Sequence, residues 1–254
     1  MMLKQRIASG APILGTFVKT PHPHVVEVLA SSGLDCICLD AEHAPFDRRD
    51  LDLCIMAARA GSLATLVRTQ SSTAHDILNA LDCGADGIVV PHVRSADEAR
   101  SIVARSHYGR GGGPTRRGYA GSSRAAEYGQ RTIADHMRAS AERTVIVAQI
   151  EDLEAIDNID AIAAVDGIDA LFVGRIDLTV ALGCTSPDDP LVIEAVKHVL
   201  SAAQKAGRPS GLFTPRPADV ALWRDHGASL FLLGSDHGFL RSGAAQLRTQ
   251  AGLD

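Results

Sequence analysis

Thr144-Val145-Ile146-Val147-Ala148-Gln149-Ile150-Glu151 is a short, almost unbroken apolar run that stops on polar residues. A strand with one face in water alternates apolar and polar residues. A strand covered on both faces, as in a parallel sheet, does not. The same signature recurs at 12–18 (PILGTFV), 34–40 (LDCICLD), 63–68 (LATLVR), 86–91 (DGIVVP), 168–174 (IDALFVG), 209–213 (PSGLF) and 229–235 (SLFLLGS). Helical spacing fills the gaps. Leu51, Cys54, Ile55 and Ala58 share one face, with Gly61 as a stop. Ser95 and Glu98 read as a capping box opening a helix with Ala99, Ile102 and Val103 inward. Val192, Ala195, Val196, Val199, Leu200 and Ala203 form a longer stripe closed by Gly207.

Eight strand–helix units in 254 residues is the arithmetic of a (β/α)8 TIM barrel, one domain over 1–254. A doubly wound open sheet more often has fewer strands and a Gly-rich first turn. The first turn here, Val18-Lys19-Thr20-Pro21-His22-Pro23, carries no G-x-G-x-x-G. Composition narrows the partners. With 46% apolar residues and a net charge of −5, the chain reads as folded, not disordered. No stretch approaches the ~20 apolar residues of a membrane span. The acidic balance and 4% aromatic content argue against nucleic acid. The five cysteines are odd in number, and Cys36-x-Cys38 is not a C-x-x-C, so buried free thiols in a reducing compartment are expected. The first residues lack a signal-peptide stretch, which makes the cytoplasm the expected location.

Two connections are long for the pattern. One, of about 50 residues, joins strands four and five and contains the Gly/Arg-rich run from Tyr108 to Arg124. The other follows strand six and holds Asp177 to Gly183. Loops that follow barrel strands sit on the C-terminal face, where active sites lie. The 108–130 segment is therefore expected beside the site, as a lid or substrate contact, with a plain surface loop as the alternative.

Polar residues cluster at the strand ends: Asp40-Ala41-Glu42-His43, Arg68, Gln149-Ile150-Glu151, Gly174-Arg175-Ile176-Asp177 and Ser235-Asp236. Each alone reads as a cap or a satisfied polar group, and Asp177 would serve as a helix cap. Five sets at one predicted rim point to a site. Glu151 and Asp177 follow adjacent strands and are oxygen ligands suited to Mg²⁺, Mn²⁺ or Co²⁺. A glycosidase acid–base pair is the other reading, which the scarce aromatic residues oppose. Arg68 is a fixed cation able to stabilise an enolate or alkoxide. His43 is a candidate general base near neutral pH. The other nine histidines read as surface or core, His92 being the least settled. A Schiff-base aldolase needs a lysine in the barrel. Of Lys4, Lys19, Lys197 and Lys205 only Lys19 is near a strand end, among turn residues, so metal chemistry is favoured.

At these residues the sequence resembles the HpcH/HpaI aldolase family, also called aldolase/citrate lyase, which are class II pyruvate-forming aldolases. The resemblance covers nearly the whole chain. It rests on Leu14-Gly15-Thr16-Phe17, Leu39-Asp40-Ala41-Glu42-His43-Ala44-Pro45, Val67-Arg68, Leu81-Asp82-Cys83-Gly84-Ala85, Val89-Val90-Pro91, Gln149-Ile150-Glu151, Phe172-Val173-Gly174 with Asp177-Leu178, and Gly234-Ser235-Asp236. It implies that His43 is the base, acting through a metal-bound water. Asp82 would raise the basicity of that histidine, reaching it from a neighbouring subunit. Arg68 would stabilise charge on the 2-oxo group, with Asp40 as an orienting residue. Glu151 and Asp177 would hold the divalent metal. Gln149, Gly174 and the backbone amides of Ile176 and Asp177 would bind the pyruvate moiety. Arg175 stands where the family often has proline, and would meet a second substrate carboxylate or point to solvent. Arg116, Arg117 and Arg124 lie in a loop that resembles one family subgroup.

The implied activity is divalent-metal-dependent, reversible cleavage of a 4-hydroxy-2-oxo acid to pyruvate and an aldehyde. The substrate would be of the 4-hydroxy-2-oxoheptanedioate or 2-dehydro-3-deoxy sugar acid type. The alternatives are citrate-lyase-like cleavage of an acyl-CoA thioester, phosphoenolpyruvate or phosphonopyruvate chemistry, and a non-catalytic 2-oxo-acid-binding subunit. The partners implied are a small-molecule 2-oxo acid and an aldehyde, with neither nucleic acid nor membrane. A homo-oligomer, a hexamer by family analogy, is expected, with the apolar C-terminal helix exchanged between subunits.

Overall fold

All eight expected strands form, and they close on themselves in chain order. In the computed structural model, which describes residues 1–109 and 117–253, the strands are β1 (Ile13–Val18), β2 (Cys36–Asp40), β3 (Ala64–Arg68), β4 (Gly87–Val90), β5 (Val145–Ile150), β6 (Ala170–Val173), β7 (Ser210–Thr214) and β8 (Leu230–Ser235). Every neighbouring pair is parallel, and β8 returns to β1. The helices are α1 (Leu3–Ala8), α2 (Pro23–Ala30), α3 (Arg48–Ala60), α4 (Ala74–Asp82), α5 (Ala96–Ser106), α6 (Ile133–Arg143), α7 (Leu153–Asp157), α8 (Ile159–Ala163), α9 (Arg175–Ala181), α10 (Pro190–Lys205), α11 (Asp219–Asp225) and α12 (Asp236–Gln250).

The alternation of side chains along each strand divides the core in two. Outward residues such as Ile37, Leu39, Val67, Ile88, Ile146 and Leu171 pack under the helices. Inward residues fill the barrel, including Phe17, Cys36, Cys38, Leu66, Val89, Val145, Val147, Phe172 and Leu232. Helix α1 closes the N-terminal end with Leu3 and Ile7, and Lys4 Nζ donates to Thr144 O at 2.8 Å. The inward rows then run from apolar to polar as they climb. Cys36 and Cys38 lead to Asp40, Leu66 leads to Arg68, and Val145 and Val147 lead to Gln149. A period of two thus aims these polar ends at the barrel mouth.

Helix ends mostly follow the sequence signals. Ser95 caps α5 by accepting from Glu98 N, but the Glu98 carboxylate takes the Arg94 N–H, one residue earlier than a capping box requires. Gly207 follows α10 with φ +65°, a left-handed stop. Gly174 occupies the N-cap of α9, so Asp177 lies in the first turn and caps nothing. Cys36, Cys38, Cys54 and Cys83 are buried free thiols, whereas Cys184 is half-buried. Among the described residues no helix is long and apolar enough to cross a membrane.

The described part of the Gly/Arg-rich segment, which leaves out residues 110–116, is not beside the expected site. Helix α5 intervenes between β4 and the insertion, so the chain has already returned to the N-terminal end when the insertion begins. Arg117 is buried against the ends of α4, α5 and α6. It donates to Ser106 O at 3.2 Å and Ser140 Oγ at 3.0 Å, and lies 3.5 Å from Asp82. Arg124 packs over Gly84 and pairs with Asp52 at 2.7 Å. The described part of the insertion therefore flanks the end of the barrel opposite the expected site. Arg116 lies outside the described residues.

Candidate active site

Strand register makes the first pair. Asp40 and Arg68 are Cα partners in the β2–β3 ladder and both point inward. Arg68 Nε and Nη2 both donate to Asp40 Oδ1, at 3.0 and 2.8 Å. Lys19 Nζ holds Asp40 Oδ2 at 2.8 Å, and the His43 backbone N–H donates to Oδ1 at 3.1 Å. Asp40 is fully buried. Burial works against its charge, but Arg68 and Lys19 outweigh it and hold the carboxyl below its ordinary range. Burial also opposes the Arg68 charge, and Asp40 and Glu42 reverse that, so the guanidinium stays a fixed cation. Its Cζ sits 4.7 Å above the Phe17 ring, and Nε lies 3.3 Å from Glu42 Oε2.

The rim next to this pair is acidic. Glu151 follows β5, is buried, and accepts from His92 N at 3.0 Å and from Gln149 Nε2. Only glycine fits at 174, because a Cβ there would collide with the Glu151 carboxylate. Burial pushes the carboxyls of Glu42 and Glu151 up, and the charge of Asp177 pushes both further. Glu42 Oε2 and Gln149 Oε1 are buried without a hydrogen-bond partner among the described residues. Converging carboxylates with too little positive charge around them suit a divalent cation. Among the described residues the tight set of donors is Glu42, His92 and Glu151, one atom of each lying within 4.8 Å of the others. Asp177 stands on the cleft wall beside them.

A cleft of about 360 Å³ opens on this rim. Phe17, Phe172 and Phe213 give it an apolar floor, and Lys19, His43, Arg68, Gln149, Gly174, Arg175, Ile176, Asp177 and Ser235 line it. His43 is half exposed at the mouth, with Nε2 3.7 Å from Glu42.

The profile of one family matches residues 14–242: "HpcH/HpaI aldolase/citrate lyase". The chain belongs to the HpcH/HpaI aldolase/citrate lyase family. A 5-keto-4-deoxy-D-glucarate aldolase of Klebsiella pneumoniae is 36% identical over 245 residues, 96% of this chain and 94% of that protein. A crystal structure of an HpcH/HpaI family protein from Burkholderia cenocepacia superposes with a TM-score of 0.94 at 30% identity, covering 98% of each chain. A citrate synthase, SbnG, superposes at 0.87 with 31% identity, covering 99% of this chain and 98% of that one. Barrel, family and carbon–carbon lyase class are thus as the sequence led one to expect.

Against this HpcH/HpaI frame, the expected site residues divide. Asp40, His43, Arg68, Gln149, Glu151, Gly174, Ile176 and Asp177 come together at the C-terminal rim. Asp82 does not. It ends α4, which runs back along the barrel, and its buried carboxylate faces Arg117 at 3.5 Å. Within one chain it is a barrel-length from His43. Arg175 lines the cleft and does not point to solvent, but its guanidinium is engaged. It is buried against Trp223, donates to Pro187 O at 3.2 Å and pairs with Asp188 at 2.7 Å and Asp219 at 3.4 Å.

Three participants carry no clear sequence signal. Glu42 stands inside Asp40-Ala41-Glu42-His43, where nothing in the spacing sets it apart from its neighbours. Lys19 looked like a turn residue, yet Asp236 fixes its backbone by accepting from Lys19 N at 2.8 Å and Thr20 N at 2.9 Å, which sends its side chain to Asp40. His92 looked like a surface residue. Its φ of +55° is unusual for a side chain with a Cβ, and no sequence pattern announces it.

Proposed function

We propose that this chain is a divalent-metal-dependent aldolase that cleaves a 2-keto-3-deoxy sugar acid, with a hydroxyl at C4, to pyruvate and an aldehyde. The observation that carries the reading is Arg68, locked by Asp40 and in contact with Glu42, on the same small cleft as Asp177, with Glu151 close enough for the charge of Asp177 to act on it. A volume of about 360 Å³ suits a six-carbon acid and is at the small end for ligand pockets. The Klebsiella relative, named for 5-keto-4-deoxy-D-glucarate, supports that substrate class.

Glu151 and Asp177, with Glu42 beside them, would hold Mg²⁺, Mn²⁺ or Co²⁺, which when bound supplies Lewis acidity toward the 2-oxo acid end of the substrate. Gln149, Gly174 and the amides of Ile176 and Asp177 seat the pyruvate half. His43, in contact with solvent at the mouth, takes the proton from the C4 hydroxyl. The C3–C4 bond breaks, the C4 oxygen becomes the aldehyde carbonyl, and the bonding pair moves toward the 2-oxo oxygen as pyruvate enolate. Arg68 faces that developing charge with a guanidinium that needs no reorganisation, because Asp40 already fixes it. Protonation at C3 completes pyruvate. Lys19 is engaged by Asp40 and acts in positioning, not as an imine-forming nucleophile.

The assembly proposed is a homo-oligomer, hexameric by family analogy. Helix α12 leaves the barrel with Phe239, Leu240 and Leu247 exposed, a face suited to a second copy. In such an assembly Asp82 would approach His43 of another subunit. The chain 1–254 acts as one domain in the cytoplasm. The test is pyruvate release from 5-keto-4-deoxy-D-glucarate before and after chelation. Loss of turnover on chelation and recovery with Mg²⁺ or Mn²⁺ are expected. Full turnover without metal refutes the reading.

A further inference from the structure

Carboxylates lie at both nitrogens of the His92 ring: Asp152 and Glu151 at Nδ1, the latter at 3.5 Å, and Glu42 at Nε2. Nδ1 lies 3.0 Å from Asp152 Oδ2, a hydrogen bond in which Nδ1–H donates. With Nδ1–H given to Asp152, the neutral ring has its lone pair on Nε2, which faces Glu42 Oε1 at 3.6 Å. The gap is too long for a hydrogen bond and of the length two donors leave around a shared cation. A histidine that gives one ring N–H to a carboxylate and turns the other nitrogen to a metal is the standard outer-shell arrangement of metal sites. The backbone supports the same geometry. At φ +55° the His92 N–H donates to Glu151 Oε1 at 3.0 Å, so one residue ties the Glu151 carboxylate and carries the imidazole over it. A left-handed backbone at a residue with a Cβ costs energy, and such strain gathers at functional sites.

We propose that His92 Nε2 is a protein ligand of the divalent cation at the Glu42, Glu151 and Asp177 wall, with Asp152 as its orienting carboxylate. The inference rests on the metal-dependent reading above and deepens it. One imidazole among carboxylates shifts preference away from Mg²⁺, an oxygen-seeking ion, toward Co²⁺, while the carboxylates still accommodate Mn²⁺. The His92→Asn variant is the suitable test, since asparagine tolerates a left-handed backbone.

The measurement is pulsed EPR of Mn²⁺ bound to the full-length protein, with Mn²⁺ affinity by equilibrium dialysis. Wild type and His43→Gln should both show ¹⁴N modulation from a coordinated imidazole. His92→Asn should bind Mn²⁺ without it. Asp152→Asn should keep the nitrogen signal but weaken Mn²⁺ binding roughly 10- to 100-fold, the usual cost of losing an orienting partner. Mn²⁺ bound without nitrogen modulation in wild type overturns the His92 assignment and leaves the metal-dependent aldolase standing. A signal that disappears in His43→Gln and survives in His92→Asn overturns it too. Absence of any stoichiometric Mn²⁺ binding to wild type overturns both.

Discussion

Replacing Arg68 by methionine separates its structural work from its chemistry. The change removes two charge-assisted hydrogen bonds, of 3.0 and 2.8 Å, from a fully buried Asp40. Asp40 keeps Lys19 at 2.8 Å and the His43 amide at 3.1 Å, so its charge is only partly stranded. Breaking a buried pair costs about 3–5 kcal/mol, and the surviving Lys19 contact places the expected loss near the lower end, about 3 kcal/mol. For a chain of this size that is a fall of about 6–12 °C in Tm. Removing a preorganised cation from the developing enolate costs a further barrier of roughly 3–4 kcal/mol, about 10²- to 10³-fold in kcat. Thermal unfolding and steady-state pyruvate release read the two effects apart. In Arg68→Met with Asp40→Asn the fully buried charge is gone and only Glu42 has lost its guanidinium, so most of the Tm should return while kcat stays low. A single variant that retains more than a tenth of wild-type kcat refutes the reasoning. So does a double variant that regains turnover along with stability.

Further expectations follow from neighbouring residues. Gly174→Ala should push the Glu151 carboxylate aside, cost about 1–3 kcal/mol of stability and weaken Mn²⁺ binding at least tenfold in equilibrium dialysis. Unchanged affinity would mean that Glu151 does not hold the ion. Borohydride treatment in the presence of pyruvate should leave the mass of the chain unaltered, because Lys19 is held by Asp40; an adduct on the peptide containing Lys19 would restore the imine route. Burial, with Arg117 and Arg131 nearby, depresses the His136 pKa in the folded state below the value of about 6.5 expected when unfolded. Its stabilising contribution is therefore complete above about pH 6.5 and lost as pH falls below it. The Tm of wild type should drop more steeply from pH 7.5 to 5.5 than that of His136→Gln, and parallel profiles would contradict this.

Much of the fold was legible because a (β/α)8 barrel repeats one local rule. Runs such as Val145–Ile150 are apolar on both faces, and the period of two that fills the barrel also carries Asp40, Arg68 and Gln149 to its mouth. The Asp40–Arg68 pair follows from adjacent strands of equal length. What escaped depends on other kinds of information. His92 joins the site through a backbone conformation that its residue type does not favour, and through Asp152 on a different strand end. Lys19 is directed by Asp236, more than two hundred residues later. The described flank of the Gly/Arg-rich insertion, at Arg117 and Arg124, lies at the end opposite the expected one because the chain passes through α5 first. Local composition looks the same on either side of α5. Arg175 does line the cleft, but no sequence pattern shows that Asp188, Asp219 and Trp223 already engage its guanidinium.

The central claim is that the C-terminal cleft, and no other part of the barrel, gathers the metal and the 2-oxo acid. Anomalous diffraction from crystals of the protein soaked with Mn²⁺ and pyruvate tests it directly. The account predicts one strong Mn²⁺ peak against Glu151 and Asp177, with the pyruvate oxo group turned toward Arg68. A peak elsewhere, or pyruvate seated away from Arg68 in a site without metal, would contradict it.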